Sequence, residues 1–245
     1  MKIKMRQFIS LIINRLKVRQ IPKDSVLVLA YHNVENRIAV CDDLYTVTTV
    51  NFIEHMSLIA GFFTAVTPAQ LFTPNNSSKP RILITFDDGK KNNFTQAFPV
   101  LHQYNLPALF FVTAKFIGTD EYMTEEDITH ISKYNIYIGS HGLTHTDFGS
   151  IDIEQTKKEL TESKQLLEEL LKTEVAAFAY PYGNEHNTKE EDKKILSECG
   201  YKQAYVFGGT SAPDSKDPFR IPRLMVTDVL GTTFLGNIIT AYKNQ

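Results

Sequence analysis

The chain has 245 residues, of which 42% are hydrophobic, and a formal net charge of −2. This length suits one domain with a large buried core, and the near-neutral charge gives no reason to expect a nucleic-acid partner. The two cysteines, Cys41 and Cys199, have neither metal-site spacing nor a disulfide framework, and we interpret them as buried or incidental thiols.

Residues 1–20 form a basic amphipathic segment around a short apolar run at 8–13. The run is too short to cross a bilayer, and no signal-peptide cleavage site follows it. Such a segment either lies on an anionic membrane surface or packs as a helix against the domain at 21–245. We expect a cytoplasmic location, with peripheral contact to the inner face of the membrane through residues 1–20.

The predicted elements alternate between strands and helices along the chain. Apolar and β-branched runs predict strands at 26–31, 46–49, 62–66, 82–86, 107–112, 136–138, 175–180, 203–207 and 220–226. Helical spacing and capping residues predict helices at 51–61 (capped by Asn51), 68–72, 92–104, 124–134, 152–172, 188–199 (with Thr188 and Glu191 as a capping box) and 230–242. This alternation indicates a single-domain α/β fold with a parallel barrel or sheet.

Two adjacent carboxylates, Asp87 and Asp88, follow the central predicted strand at 82–86. The end of such a strand is where α/β folds place their chemistry. Neighbouring carboxylates repel each other unless a cation or a proton compensates. Taken alone, the pair is equally consistent with a turn or a helix cap.

Two histidines, His141 and His145, follow another predicted strand and are four residues apart. One turn of helix or a tight loop can direct both rings to a single point. Together with an aspartate they would form a facial metal triad with open positions for water and substrate. If Asp88 is the ligand, Asp87 lies beside the metal as a candidate general base; surface histidines on a polar loop are the alternative.

Three segments together resemble a known family. Residues 85–89 (TFDDG) and 140–145 (SHGLTH) resemble the first two motifs of the polysaccharide deacetylases, which have the NodB-homology fold, and 178–183 (FAYPYG) resembles the third. The resemblance implies a distorted parallel (β/α) barrel, with 21–245 as the catalytic domain. It also implies a metal-dependent amidohydrolase that removes the acyl group from an N-acetylated amino sugar in a polysaccharide, oligosaccharide or lipid-linked glycan.

The resemblance also implies roles for individual residues. Asp88, His141 and His145 would hold a divalent metal, zinc by first expectation, although cobalt, nickel and iron accept the same ligands. Asp87 would be the general base.

In the third motif, the turn at Pro181 and Tyr182 would present the Tyr182 backbone N–H to the oxyanion, with a plain loop turn as the alternative. Two positions depart from the family pattern: Ala179 replaces the usual arginine that orients the catalytic aspartate, and Gly142 replaces the usual serine or threonine, which removes a hydroxyl near the metal. We hypothesise that Arg223 supplies the missing positive charge, with Arg220 as the alternative.

The general acid of most family members is a histidine near the C-terminus, and no histidine follows His186 here. His32 lies at the end of the first predicted strand instead. This placement looks like the circularly permuted branch of the family, which includes the poly-N-acetylglucosamine deacetylases. Histidine suits the role because its ordinary pKa lies near neutrality. A structural histidine at a strand end is the alternative.

Several loop residues are candidates for the substrate cleft on position alone: Asp43, Tyr45, Asp147 and residues 184–186. Two rival functions are considered. An iron-dependent oxygenase would use the same triad, and a carbohydrate-binding relative without turnover would explain the departures from the motifs.

Overall fold

Short buried strands alternate with helices throughout the part of the chain that this computed structural model describes, which is residues 13, 14, 16–37, 43–209, 212–214 and 216–245. In chain order the strands are β1 (Val26–Tyr31), β2 (Asn33–Glu35), β3 (Thr46–Thr48), β4 (Thr64–Ala65), β5 (Arg81–Phe86), β6 (Ala108–Val112), β7 (Ile136–Ser140), β8 (Ala177–Ala179), β9 (Gln203–Phe207) and β10 (Ile221–Met225). The α-helices are α1 (Thr49–Phe62), α2 (Phe98–Gln103), α3 (Glu125–Ile131), α4 (Ile153–Leu171), α5 (Asp192–Glu198) and α6 (Gly231–Lys243).

Strand β1 closes the sheet into a barrel. It pairs with β5 along its whole length on one side and with β10 on the other. The order around the barrel is β1-β5-β6-β7-β8-β9-β10, and every pairing is parallel. The short β4 pairs with the first two residues of β5. The predicted distorted parallel (β/α) barrel is therefore confirmed.

Along β1, β5, β6, β8 and β9, alternate residues enter two different apolar clusters. Val28, Leu83 and Tyr205 belong to the smaller cluster inside the barrel, whereas Leu27 and Ile84 pack in the larger cluster shared with the helices. All six residues of β1 and of β5 are buried. Burial on both faces explains why these strands read as continuous apolar runs rather than as alternating patterns.

Several predicted helices differ from the structure: the one predicted at 68–72 is a 3-10 turn at Pro68–Gln70, and the one predicted at 124–134 ends at Ile131. Asn51 is not the cap of α1, because the helix begins at Thr49 and the Thr48 hydroxyl accepts the Asn51 N–H. The predicted helix at 92–104 divides into a π-helical turn at Asn93–Ala97 and then α2, in whose first turn a proline lacks the N–H that would continue the hydrogen-bond ladder. The helix predicted from 188 starts only at Asp192.

The predicted N-terminal segment falls mostly outside the described residues, as does Cys41. Within its described part, the Asn14 side-chain amide donates to the carbonyl of Thr232 (3.1 Å), and Val18 is buried. This end of the segment therefore packs against the domain. No helix among the described residues is long and apolar enough to cross a membrane. The cytoplasmic location and the membrane contact stay predictions.

Candidate metal and catalytic site

The chemistry-bearing side chains meet at the carboxyl ends of the barrel strands. They surround an open cavity of about 330 Å³ whose walls come from the ends of β1, β5, β7, β8 and β9 and from the loop before β3. The lining residues are His32, Asn33, Asp43, Tyr45, Asp87, Asp88, His141, His145, Tyr180, Tyr182 and Phe207. This is the edge at which α/β barrels carry their active sites.

Asp88, His141 and His145 form a cluster that can bind a metal ion. One ligand atom from each lies within 4.8 Å of the other two. The Asp88 Oδ1 atom is 3.6 Å from His141 Nε2 and 3.3 Å from His145 Nε2. Two imidazole nitrogens and one carboxylate oxygen suit a divalent transition metal, and three protein ligands leave coordination positions for water and substrate.

The hydrogen bonding of His141 fits a metal ligand. Its Nδ1 lies 2.8 Å from the Ala179 carbonyl oxygen, which can only accept, so Nδ1 carries the proton and Nε2 offers its lone pair on the Asp88 side. Burial lowers the pKa of His141 to about 4, although Asp87 and Asp88 act to raise it. The ring is therefore neutral at physiological pH, as a metal ligand must be.

The carboxylate of Asp88 is also in the form a metal needs. Burial by itself raises the pKa of Asp88, but His145, His141 and His32 outweigh it and hold the pKa well below its ordinary value. Asp88 has a φ of +71°, and the Gly89 N–H donates to the carbonyl of Asp87 (2.9 Å), so the chain makes a three-residue γ-turn directly at the ligand.

Arg223 is the arginine that contacts Asp87. Its Nη1 and Nη2 atoms donate to the two Asp87 carboxylate oxygens at 2.6 and 2.8 Å, and its Nη1 also lies 3.2 Å from the Thr85 hydroxyl. Its side chain is fully buried inside the barrel. Burial acts to raise the pKa of Asp87, but Arg223, His141 and His32 together lower it. Arg220 instead pairs with Glu190, 3.5 Å away, at the outer surface.

His32 lies on the other side of Asp87. Its Nε2 is 3.7 Å from Asp87 Oδ2, and its ring is packed edge-on between Tyr45 and Phe207, with ring-centre distances of 4.9 and 5.6 Å. The Asn93 side-chain amide donates to the His32 carbonyl (2.6 Å) and fixes the backbone there. Phe207 could not be identified from its own segment, because only the barrel register brings it beside His32.

The third motif forms a second γ-turn. The Gly183 N–H donates to the Pro181 carbonyl (2.7 Å), and Tyr182 between them has a φ of +62°. A Cβ atom on Gly183 would lie 2.8 Å from the Phe207 backbone nitrogen, so only glycine fits. Among the described residues nothing accepts a hydrogen bond from the Tyr182 N–H, and its ring packs edge-on against His145 at 5.0 Å. The turn thus leaves a backbone donor on a residue that lines the cavity.

The remaining candidates divide between the cleft and the surrounding loops. Asp43 and Tyr45 line the cavity, whereas the Asp147 carboxylate accepts the Gly149 N–H (2.9 Å) and belongs to a loop turn. Asn184 caps the short 3-10 turn Glu185–Asn187, and His186 is exposed. These three polar residues therefore organise loops and do not line the cavity.

Sequence reasoning missed Glu159. This residue is fully buried on α4 and accepts hydrogen bonds from the loop between the two histidines. A signal was present in the sequence: Glu159 lies on the same helical face as Leu160 and Leu167, where a solvated carboxylate would not be expected.

Comparison with known proteins agrees with the fold and with the family resemblance. The profile of the polysaccharide deacetylase family matches residues 74–204. The Bacillus subtilis protein YxkH, whose name assigns it to the polysaccharide deacetylases, is 26% identical over 221 residues, covering 88% of this chain and 76% of its own. The poly-β-1,6-N-acetyl-D-glucosamine N-deacetylase of Staphylococcus epidermidis is 23% identical over 235 residues, covering 84% of this chain and 80% of its own.

The barrel also matches solved structures. The Streptococcus pyogenes deacetylase PplD, solved in complex with acetate, superposes with a TM-score of 0.80 at 17% identity, covering 89% of this chain and 99% of that one. The chain belongs to the polysaccharide deacetylase family, whose members hydrolyse the amide bond of N-acetylated glycans. The predicted family and enzyme class are therefore confirmed.

Proposed function

We propose that this protein is a zinc-dependent N-deacetylase that acts on N-acetylhexosamine residues within a glycan chain, with a β-1,6-linked N-acetylglucosamine polymer as the first substrate to test. The observation that carries the proposal is the buried two-point contact of Arg223 with Asp87, beside the Asp88, His141 and His145 cluster. Arg223 thereby supplies the positive charge that the usual arginine would provide at the position of Ala179. The polymer is suggested by the named activity of the S. epidermidis relative.

The residues present fit a metal ion. Asp88 is ionised, and His141 presents a neutral Nε2 because its other nitrogen is bonded to a carbonyl. Such an ion would polarise the acetamide carbonyl and lower the pKa of a water molecule beside it. Zinc is the natural choice for two imidazoles and a carboxylate with open positions.

The protein's own groups handle the protons. Asp87 accepts a proton from the attacking water, and Arg223 holds that carboxylate ionised and fixed in orientation. His32 donates a proton to the departing sugar amine, so that the amide and one water become acetate and a free amine. The Tyr182 N–H donates to the oxygen that becomes negative when water adds to the carbonyl.

Aromatic side chains provide the sugar-binding walls. Tyr45 and Tyr182 are half exposed, at 51% and 59%, and flank the cavity with Phe207. With no tryptophan in the chain, these rings are the available stacking surfaces. The cavity is open to solvent, which suits one residue of a longer glycan.

Acetate release by the zinc-loaded protein tests the proposal. The substrates are β-1,6-linked N-acetylglucosamine oligosaccharides and, for comparison, β-1,4-linked ones. We expect zinc-dependent release from the β-1,6 series and a loss of about 100-fold or more in Asp87→Asn, since proton transfer contributes at least that factor. Zinc and glycan binding without acetate release would favour the non-catalytic carbohydrate-binding alternative, and oxygen uptake would favour the oxygenase.

A further inference from the structure

Helix α4 presents two buried polar side chains, Glu159 and Ser163, to the loop that carries both histidine ligands. The two residues are four positions apart and therefore lie on the same face of the helix. Both are fully buried. The rest of that face packs in the apolar core through Leu160 and Leu167, so burial alone does not explain a carboxylate and a hydroxyl at these positions.

Glu159 binds the middle of the loop. Its Oε2 atom accepts the N–H groups of Leu143 (2.8 Å) and Thr144 (3.0 Å), and its Oε1 atom accepts the Thr144 hydroxyl (2.6 Å). Within the described part of the chain it forms no salt bridge. A buried carboxylate without a cation is costly unless hydrogen-bond donors surround it, and here all three donors come from the two residues before His145.

Ser163 binds the beginning of the same loop through a chain of hydrogen bonds. The Gly142 N–H donates to the Ser140 hydroxyl (3.1 Å), which donates to Ser163 (2.9 Å), which donates to the Leu160 carbonyl (3.2 Å). Gly142 itself leaves room for the carboxylate, because a Cβ atom there would lie 3.3 Å from Glu159 Oε2. The loop is thus supported from the helix although it lacks the usual hydroxyl at position 142.

The supported loop includes strained backbone. His145, directly after Thr144, has a φ of +60°, a conformation that a histidine adopts only when its surroundings hold it. The His145 ring packs edge-on against the rings of His141 and Tyr182, each at a ring-centre distance of 5.0 Å, and 22% of its side chain is accessible. These ring contacts act on the side chain, whereas the bonds from Thr144 to Glu159 restrain the backbone directly before His145.

We propose that Glu159 is a positioning residue of the metal site: it holds residues 143–144 so that His145 stays directed at Asp88, and it thereby sets the affinity for the metal. This inference rests on the proposed metal-dependent function. Groups that orient metal ligands typically change metal affinity by about 10- to 100-fold when they are removed.

The test measures zinc affinity of the full chain by competition with a chromophoric chelator, and the visible spectrum of the Co²⁺-loaded protein. Glu159→Ala should weaken zinc binding about 10- to 100-fold and alter the Co²⁺ spectrum. Glu159→Gln keeps an oxygen for both N–H groups and should recover most of the affinity. Zinc affinity and Co²⁺ spectrum unchanged in Glu159→Ala would overturn the proposal.

Leu167→Ala is the matched control, because Leu167 is equally buried on the same helix and carries no polar side-chain atom that could bond to the loop. It should lower the melting temperature but leave zinc affinity within about twofold. An equal loss of affinity in this control would show a general stability effect and overturn the proposal. If Glu159→Ala does not fold, Thr144→Val takes its place: losing the hydroxyl bond should weaken zinc binding about fivefold, and no change would again overturn the proposal.

The outcomes also separate this inference from the proposed function. A wild-type protein that binds zinc and releases acetate, with both activities unchanged by Glu159→Ala, would overturn only the role of Glu159. A wild-type protein that binds no zinc would overturn the proposed function and this inference together.

Discussion

Replacing Arg223 by methionine should expose how strongly the barrel interior depends on the contact between Arg223 and Asp87. Methionine keeps much of the side-chain volume but none of the charge. The buried carboxylate then loses two hydrogen bonds, of 2.6 and 2.8 Å, and its counter-charge. Removing one partner of a buried ion pair costs about 3–5 kcal/mol, which is a large part of the free energy of unfolding of an ordinary domain.

A double-mutant cycle identifies the source of that loss. Asp87→Asn alone leaves the Arg223 cation unpaired and should also destabilise the fold. Combined with Arg223→Met it removes both charges, so the double variant should be at least about 2 kcal/mol more stable than the sum of the two single losses predicts. The free energies come from urea unfolding of chelator-treated protein, with Arg220→Met as the control, because Arg220 makes a partly exposed ion pair with Glu190.

The Arg223→Met variant should also show a distinctive pH dependence of its free energy of unfolding. In the wild type the pKa of Asp87 is lowered, so the pair stabilises the fold above the ordinary aspartate pKa and this contribution is lost as the pH falls through the lowered value. Without Arg223, the effect of burial dominates and the pKa of Asp87 rises. The difference in unfolding free energy between the wild type and Arg223→Met should therefore become smaller as the pH falls. A deficit below about 1 kcal/mol at pH 7, or additive losses in the cycle, would refute the reasoning.

Three further predictions concern His32, His55 and Gly142. His32→Ala should lower acetate release about 100-fold or more while zinc affinity in the chelator assay stays unchanged; unchanged turnover would remove His32 from the mechanism. Burial lowers the pKa of His55 to about 4, although its bond to the Val229 carbonyl acts to raise it. The unfolded chain takes up this proton at about pH 6.5, so the wild type should lose about 3 kcal/mol of unfolding free energy between pH 6.5 and 4, a loss that urea titrations of His55→Gln should lack. Gly142→Ser should weaken zinc binding rather than restore the usual motif, because φ is +79° and the new Cβ would crowd Glu159; stronger binding would contradict this.

The barrel and the metal cluster were predictable because their signals are local. Residues 82–86 form a continuous apolar run that is followed by two aspartates. The histidines at 141 and 145 follow another strand, and their spacing suits two ligands of one metal ion. Each pattern needs only its own segment and the rule that parallel strands end at the same edge of a sheet.

The contacts that link distant segments were not predictable in this way. Arg223 was the favoured candidate and Arg220 the alternative, but the sequence alone could not decide between them, because the alternation along a strand becomes useful only once its register is known. The structure places Ile221 inside the barrel, and Arg223, two residues on, lies on the same side. Glu159 was missed because a single helix does not reveal that a loop with unpaired N–H groups lies against its buried face. Thr48 and Asn51 are both good capping residues, so the sequence could not distinguish them. The backbone geometry shows that Thr48 caps α1.

The closure of the barrel at β1 has a consequence for how the order of the strands along the chain can be rearranged. The Gln245 side-chain amide, just beyond α6, donates to the Val26 carbonyl (2.9 Å) at the start of β1, so β10, α6 and β1 follow one another in space like an ordinary strand–helix–strand unit without the connecting peptide. In a variant whose α6 is connected to β1 by a linker, and whose chain is cut in the loop before β5, every strand would stay beside its present neighbours. His32 would then follow Arg223 along the chain while reaching the same cavity, so that two different gene layouts would encode one three-dimensional site.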